Sequence, residues 1–308
     1  MPASTLFLFG AGASAFSGSC TPTCPPLGGD LFAELLKVSP AARAIPGPIQ
    51  DMFKLHFEDG MQALLEGMTG LEAHLLREMA AFFATFRPRR ANRYSRFIDA
   101  VGPYASKCVF ASLNYDILLE LSLVQRGYLP AYSPSALLAK NQIRVIKVHG
   151  SCNFLPGTNV RFENVNFVLP PDFEGQLMNS DDRYTLNPTE ILEFCREQNS
   201  ISPELALYHK SKRMLFVGPV ARAQKPAFFQ HVAEARNIVI IGVRLHEPDT
   251  HIWEPIAASP ARIYYVGPDA TDIRAWGTRN GKTVEHLSNG FKSSIPKIGE
   301  LLKATSSP

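Results

Sequence analysis

Short apolar runs closed by glycine or polar turns are the clearest feature of the hydrophobic pattern. They occupy residues 5–9, 109–113, 143–148, 237–241 and 262–266, and each is rich in Val, Ile or Phe. Runs of this kind are typical of strands buried on both faces of a parallel sheet. Helical patterns lie between several of them. The sequence therefore predicts an α/β fold with a mostly parallel sheet and helices on both faces.

A long helical tract separates the first two runs. Asp30 is the expected N-cap of a helix over residues 31–38, and residues 61–86 carry Leu and Met at helical spacing. A further helix is expected at about 95–101. Because the tract is too long for a simple crossover, we interpret part of it, at about 39–100, as a helical module inserted beside the sheet.

An irregular segment follows the third run. Residues at about 158–212 are rich in Pro, Asn, Asp and Phe and have weak periodicity. Long irregular segments in compact domains are often functional, so we expect an insertion or a cover over the site. With both insertions included, the sequence predicts a single domain over residues 1–308.

The composition narrows the class of protein. Hydrophobic residues make up 45% of the 308, which is ample for a large core. The formal net charge of +3 is too small to indicate nucleic-acid binding by itself. No run of about 18 apolar residues is present, and the N-terminal segment lacks the basic start of a signal peptide. Five cysteines without a tight framework favour a reducing compartment, so we expect a cytoplasmic protein without a membrane span.

A glycine-rich turn follows the first run directly. It reads Gly10-Ala11-Gly12-Ala13-Ser14 and fits the G-x-G-x-x-A pattern of phosphate-binding turns between a strand and a helix. Gly12 would let the backbone approach a pyrophosphate, although glycines in such turns also occur for purely structural reasons. The pattern predicts a Rossmann-like dinucleotide site. The proline-broken loop at 17–29 suits an enzyme that exposes the nicotinamide end better than a hydride-transfer enzyme.

Polar residues follow the second and third runs. Asn114 and Asp116 come after the second, and His149 comes after the third. Ligands of open α/β sheets bind at the carboxyl ends of the strands, so all three are candidates for ligand contacts. Asn and Asp at a strand end also serve as turn or cap residues, and a lone His there is often a satisfied turn residue. Gly150 would let the His149 ring lie close to a ligand or to another backbone.

Taken together, the motifs GAGAS, SLNYD and KVHGS resemble the sirtuin (SIR2) family in order and context. The resemblance implies that residues 10–14 hold the pyrophosphate of NAD. It also implies that Asn114 and Asp116 contact the ribose and the pocket at the nicotinamide end, and that His149 lies at the ribose hydroxyls. Matches extend from residue 5 to about 270, so the resemblance covers most of the chain.

Later segments fit the same family. The late strand and turn that contact the adenosine half of the cofactor are matched by Gly242, Val243, Leu245 and Asp249. Gly267 matches the last strand-end element, near the adenine. His246, Asp249 and His251 also lie close enough in sequence to suggest a metal site, but the match to the cofactor turn explains them better.

The cysteines depart from the protein-deacylating sirtuins, which carry two Cys-x-x-Cys pairs for a structural zinc. Cys20 and Cys24 have C-x3-C spacing, and the other three cysteines are scattered. We therefore expect no zinc. The glycine motif followed by a Pro-Leu-Gly segment and a helix instead resembles zinc-free bacterial SIR2-like effectors of antiphage defence, which hydrolyse NAD.

The resemblance implies an NAD hydrolase that cleaves the nicotinamide–ribose bond of NAD, its substrate, to give nicotinamide and ADP-ribose. Nicotinamide leaves as a neutral molecule, and the transition state is similar to an oxocarbenium ion. Asn114 can orient the ribose or the attacking water, His149 can accept a proton, and Asp116 can bind the nicotinamide amide or position the ribose. An NAD-dependent protein deacylase and a non-catalytic sensor of NAD or ADP-ribose are the alternatives.

Partners are expected because unregulated NAD hydrolysis would be toxic. We expect a homo-oligomer, or a complex with a defence partner such as an ATPase or an Argonaute-like protein. The candidate contact is a basic stretch with Arg at 87, 89, 90, 93 and 96. Such runs are more often solvated, partner-facing surfaces than nucleic-acid sites, so direct nucleic-acid binding is not expected.

Overall fold

The structure is a computed structural model, and it describes residues 5–67, 70–133, 138–156, 183–197, 202–205 and 219–306. Its strands are β1 Thr5–Phe9, β2 Cys20–Thr21, β3 Arg87–Pro88, β4 Cys108–Ser112, β5 Leu129–Ala131, β6 Gln142–Lys147, β7 Phe154–Leu155, β8 Arg183–Tyr184, β9 Asn237–Ile241, β10 Arg262–Val266 and β11 Val284–Ser288.

Its helices are α1 Ala11–Ala15, α2 Gly28–Val38, α3 Pro40–Ala44, α4 Gly47–Leu55, α5 Phe57–Glu66, α6 Glu72–Phe83, α7 Arg93–Val101, α8 Leu118–Gln125, α9 Pro188–Arg196, α10 Pro219–Glu234, α11 Thr250–Ala258, α12 Thr271–Arg279 and α13 Phe291–Ser306, with a 3-10 helix at Gly102–Lys107. Within the described ranges, every helix is too short or too polar to cross a membrane.

Among the described residues, seven strands form one parallel sheet in the order β11-β10-β9-β1-β4-β6-β5. The chain moves outward from β1 through β4 to β6 on one side, and later outward from β9 through β10 to β11 on the other. The strand order therefore reverses between β1 and β9. Sheets of this kind bind ligands beyond the carboxyl ends of the strands at such a point. The predicted α/β class with a Rossmann-like parallel sheet is confirmed.

Side chains of β1 alternate between two cores, one on each face of the sheet. Phe7 and Phe9 enter an aromatic core with Phe97 of α7 and Phe110 of β4. The rings of Phe7 and Phe97 pack edge to face with their centroids 5.0 Å apart, a geometry that stabilises aromatic pairs. Helices α2 to α9 and α13 contribute to this core. Helices α11, α12 and most of α10 pack into a second core on the other face, where Trp253 and Trp276 lie among aliphatic side chains. Helices thus cover both faces, as predicted.

Two of the predicted helices differ from the observed ones. Helix α2 begins at Gly28 with Leu27 as its N-cap, so the prediction that Asp30 is the N-cap is wrong. Asp30 lies in the first turn, where its negative charge interacts favourably with the helix dipole. The helical pattern at 61–86 belongs to two helices, α5 and α6. Gly70 lies between them with a φ of +72°, a conformation that ends a helix.

Of the seven strands in the parallel sheet, the hydrophobic pattern missed the two edge strands. Three predicted strands coincide with β1, β9 and β10, and β4 and β6 each begin and end one residue earlier than predicted. β5 and β11 lie at the two edges of the sheet. An edge strand is covered less completely, so its sequence need not be a continuous apolar run, and β11 reads VEHLS.

The two predicted insertions have different outcomes. The segment at about 39–100 contains α3 to α7, and these helices pack into the aromatic core with α2. Its status as a separate module stays a prediction. Much of the segment at about 158–212 lies outside the described residues. Its described part includes α9, a helix that the weak periodicity did not predict.

Candidate functional site

The polar strand-end residues lie level with one another at the carboxyl edge of the sheet. Ser112, the last residue of β4, pairs in register with Lys147, the last residue of β6. The amide of Val148 continues this ladder by donating to the Ser112 carbonyl at 3.1 Å. Asn114 and His149 each lie two positions beyond the Ser112–Lys147 pair. The structure therefore places them on neighbouring segments at the same edge.

The glycine turn after β1 and the turn after β9 are locked together. The amide of Gly12 donates to the Gly242 carbonyl at 2.9 Å, and the amide of Gly10 donates to the Ile241 carbonyl at 3.0 Å. A Cβ on Gly10 would lie 2.7 Å from the Gly242 oxygen. Gly242 has a φ of +64°, and a Cβ there would lie 2.2 Å from the Ala13 nitrogen. Gly10 and Gly242 are thus required because the two turns are in contact. This is a purely structural reason for glycine, which the sequence had also allowed.

Asn114 joins the end of β4 to the glycine turn. Its Nδ2 donates to the Gly10 carbonyl at 2.9 Å and to the Ser14 hydroxyl at 3.0 Å. The Ser14 hydroxyl also lies 3.0 Å from the Tyr94 hydroxyl, which α7 holds in the aromatic core. All of these side chains are buried. Asn114 therefore fixes the position of Gly10 and Ser14 as well as its own.

Asp116 is a buried carboxyl group beside a buried ion pair. Its Oδ1 accepts from the Leu118 amide at 3.0 Å, at the start of α8. Lys147 donates to the Asp116 backbone carbonyl at 2.6 Å and lies 3.1 Å from Glu120. Burial raises the pKa of Asp116, and the Lys147 ammonium, the Leu118 amide and the Ser14 hydroxyl each oppose that rise. Burial raises the pKa of Glu120 for the same reason, against the attraction of Lys147.

His149 contacts a second histidine, His251, on the first turn of α11. Their Nε2 atoms lie 2.9 Å apart. The following residue, Gly150, has a φ of +74°, and a Cβ there would lie 2.0 Å from the Glu204 carbonyl oxygen. The sequence allowed two reasons for a glycine here, a nearby ligand or a nearby backbone. The structure shows a nearby backbone, that of Glu204.

The later predicted residues follow β9 and β10, at the same edge of the sheet as Asn114 and His149. The hydroxyl of Tyr265 donates to the Val243 carbonyl at 3.2 Å, and the Gly267 amide donates to the Ser288 carbonyl at 3.0 Å. Leu245 packs against the core on the α11 side of the sheet. The amide of Gly242 donates to the Val266 carbonyl at 2.9 Å, so the turn after β9 is joined to the end of β10 as well as to the glycine turn.

Asp249 is the N-cap residue of α11 and belongs to a small charged cluster. His246 has Glu58 Oε2 at 3.4 Å from its Nε2 and Asp249 Oδ1 at 3.5 Å from its Nδ1. One ligand atom from each of these three residues lies within 4.8 Å of the other two, a spacing that could hold a metal ion. All three residues are partly or fully exposed, and exposed acidic groups commonly lie together without a metal, so we assign no metal to this cluster.

The cysteines form one close pair in the described part of the chain. Cys20 and Cys24 have their Sγ atoms 3.2 Å apart in the loop after α1, and the Ser17 hydroxyl lies 3.2 Å from the Cys20 sulfur. Burial is the main cause that raises the pKa of Cys20 to about 12. The expected absence of zinc stays a prediction.

The basic stretch is partly used within the chain. Arg89 donates to the Thr21 hydroxyl at 2.7 Å, and Arg93 donates to the Phe16 carbonyl. A surface depression lined by Arg90, Gln125 and Arg126 lies at the far end of α8 from Asp116 and includes none of the predicted site residues. The role of this stretch as a partner contact stays a prediction.

Comparisons with known proteins give weak likenesses. No family model and no curated protein matches the chain. Among solved structures, a Sir2 homologue mutant in complex with ADP-ribose covers 98% of this chain and 92% of its own, at 14% identity and a TM-score of 0.45. A Sir2 enzyme studied for mechanism and regulation covers 100% and 94%, at 14% identity and a TM-score of 0.47. A Sir2 homologue–NAD complex covers 98% and 91%, at 15% identity and a TM-score of 0.45. Likeness at this level assigns no family.

Three residues make contacts around the predicted site residues that were not predicted from the sequence. Tyr94 carries no local signal, because its role depends on a contact with Ser14 across 80 positions. Lys147 could have been noticed as a charge inside an otherwise apolar strand. His251 was noticed only as part of a metal or cofactor turn, and its contact with His149 spans 102 positions.

Proposed function

We propose that this chain is a SIR2-like hydrolase that cleaves the nicotinamide–ribose bond of NAD to give nicotinamide and ADP-ribose. The observation that carries the proposal is the pair of hydrogen bonds from Asn114 to Gly10 and Ser14. These bonds join the Asn-x-Asp element to the glycine turn, beside the point where the strand order reverses. The same motifs that resemble the sirtuins in sequence order are thus neighbours in space.

Cleavage of the nicotinamide–ribose bond requires the protein to orient the ribose or the water, to accept a proton and to bind the nicotinamide end. The bond between the ribose carbon and the nicotinamide nitrogen breaks, and its electron pair stays on nicotinamide. A water oxygen then bonds to the ribose carbon and releases a proton. In this proposal Asn114 orients the ribose or the water, His149 accepts the proton, and Asp116 binds the nicotinamide amide or a ribose hydroxyl. The segments with Gly242, Val243, Leu245, Asp249 and Gly267 hold the adenosine half.

Low exposure of the proposed catalytic side chains supports a gated enzyme. Asn114 is 8% exposed, and Asp116 and His149 are each 4% exposed. Substrate cannot reach groups so covered without a rearrangement, and the donors of Asn114 are already engaged. We infer that assembly of the chain with itself, or with a defence partner, opens the site in a cytoplasmic antiphage response.

The test is an assay of NAD incubated with the purified chain, with products separated and identified by mass. We expect nicotinamide and ADP-ribose, at a rate per chain that rises with chain concentration if assembly opens the site. NAD left intact at every concentration, with and without the proteins encoded next to this chain, would overturn the proposal.

Two further arms separate the alternatives. Addition of an acetyl-lysine peptide would give acyl-ADP-ribose if the chain were a deacylase, and we expect none. Calorimetry with NAD and ADP-ribose in the absence of turnover would identify a sensor.

A further inference from the structure

The contact between His149 and His251 connects two elements that the sequence keeps far apart. The Nε2 atoms lie 2.9 Å apart, and the ring centroids lie 5.1 Å apart with the planes inclined at 42°. His149 follows β6, and His251 lies in the first turn of α11, which follows the Gly242 turn. The pair therefore links the proposed base to the segment proposed to hold the adenosine half.

A hydrogen bond between two ring nitrogens contains a single hydrogen. A neutral imidazole carries one N–H, on either nitrogen. In the neutral pair one ring must hold its proton on Nε2, and the other must present a bare Nε2 and hold its proton on Nδ1. Two imidazolium rings would place two N–H groups and two positive charges against each other. The pair can therefore accept one further proton, and a second is strongly disfavoured.

Acceptance of that one proton is favoured by the contact. An imidazolium that donates to a neutral ring makes a charge-assisted hydrogen bond, which is roughly twice as strong as a neutral one. A catalytic base is usually oriented by a third group that fixes its tautomer and stabilises its protonated form. His251 is placed to act as that group.

A shared metal ion is a poorer explanation of the contact. In the part of the chain that the structure describes, no third His, Cys, Asp or Glu ligand atom joins these two rings to make a group of three. Two imidazoles alone leave a tetrahedral metal half-coordinated.

We propose that His251 is a positioning residue for His149. It shares one proton with the His149 ring, fixes the tautomer of that ring and stabilises the proton that His149 accepts. This inference rests on the proposed hydrolysis of NAD. Its test therefore begins with a measurement that needs no turnover.

The first measurement is nitrogen NMR of histidine-labelled protein, which distinguishes the tautomers of each ring. We expect His149 to hold one tautomer in the wild type and a mixture in His251→Ala. His56→Ala is the matched control, because His56 is exposed and lies before α5, and it should leave the His149 signals unchanged. An unchanged His149 tautomer in His251→Ala would overturn the proposal.

The second measurement is a double-mutant cycle on nicotinamide release. We expect His251→Ala to lower kcat by about 10- to 150-fold, the range for loss of a hydrogen bond to a charged group, with little change in KM. In the His149→Ala background the same change should cost nothing further, because the two residues act as a unit. His251→Gln, which keeps a hydrogen-bonding group, should recover part of the rate.

The outcomes separate this inference from the function on which it rests. Independent, multiplying losses in the cycle, or a full kcat in His251→Ala, would overturn the positioning role. Failure of the wild-type chain to consume NAD under any condition would overturn the proposed function and the positioning role together. The NMR result would still decide whether the two rings share a proton.

Discussion

Replacement of Gly10 by alanine tests the contact between the glycine turn after β1 and the turn after β9. Gly10 has φ −113° and ψ −174°, which any residue can adopt, so the cost is steric. The new Cβ would lie 2.7 Å from the Gly242 oxygen and 2.8 Å from the Val243 Cα. Both are backbone atoms in a tightly hydrogen-bonded turn, so the turns must move apart. Overpacking of this kind costs about 1–3 kcal/mol of unfolding free energy.

The expected loss is measurable by thermal unfolding. Each kcal/mol shifts Tm by about 2–4 °C in chains of 150–250 residues, and by somewhat less in a longer chain. Gly299→Ala in α13 is the matched control, because a Cβ there has no atom within 4 Å and should stabilise the helix by about 0.5–1 kcal/mol. NAD affinity, measured by calorimetry, should fall in Gly10→Ala alone. A wild-type Tm in Gly10→Ala would refute the tight contact between the turns.

Three further predictions concern charge and metal. Asp116→Asn should keep its bond from Leu118 but lower NAD turnover about 5- to 150-fold, because an amino group that can only donate replaces one of the two carboxyl oxygens. Because burial raises the pKa of Asp116, the folded chain keeps that proton after the unfolded chain has lost it. Its contribution to stability therefore falls as pH rises from about 4 through the folded-state pKa, and Asp116→Asn should flatten that slope in denaturant titrations. Lys147→Met should lower the free energy of unfolding by about 3–5 kcal/mol, because it leaves Glu120 buried without its cation. Adding Glu120→Gln should restore part of that loss. Equal stabilities of the single and double variants would contradict the ion pair. EDTA should leave the helical circular dichroism and Tm unchanged, whereas a loss of either would reveal a structural metal.

The sheet could be predicted from the sequence because buried parallel strands leave an unmistakable pattern. The central strands are continuous apolar runs, and their ends carry the polar residues that meet at one edge. Helix bounds were less accessible, because Gly70 breaks a pattern whose apolar spacing continues on both sides. Edge strands such as β11 were not predicted, because their sequences are not continuous apolar runs.

The side chains of the candidate site were easier to find than their contacts. Glycines at 10 and 12 were expected from the phosphate-binding pattern, but their partner, Gly242, lies more than 200 positions away. Asn114 was predicted as a ligand contact, with a turn or cap role as the alternative, and the structure shows a structural role through its bonds to Gly10 and Ser14. The His149–His251 contact depends on the tertiary path of α11. The spacing of residues in the sequence does not predict contacts between distant side chains, because the packing of helices and strands against one another determines those contacts.

Nicotinamide release by His149→Ala, compared with the wild type at saturating NAD, decides whether His149 is the catalytic base. We expect a rate about 100- to 10,000-fold below the wild type, the usual cost of losing a general base. NAD affinity by calorimetry should change much less, because backbone hydrogen bonds to Ile241 and Gly242 hold the glycine turn. A wild-type rate in His149→Ala would contradict the account, and His149 would then be a turn residue with no part in the chemistry.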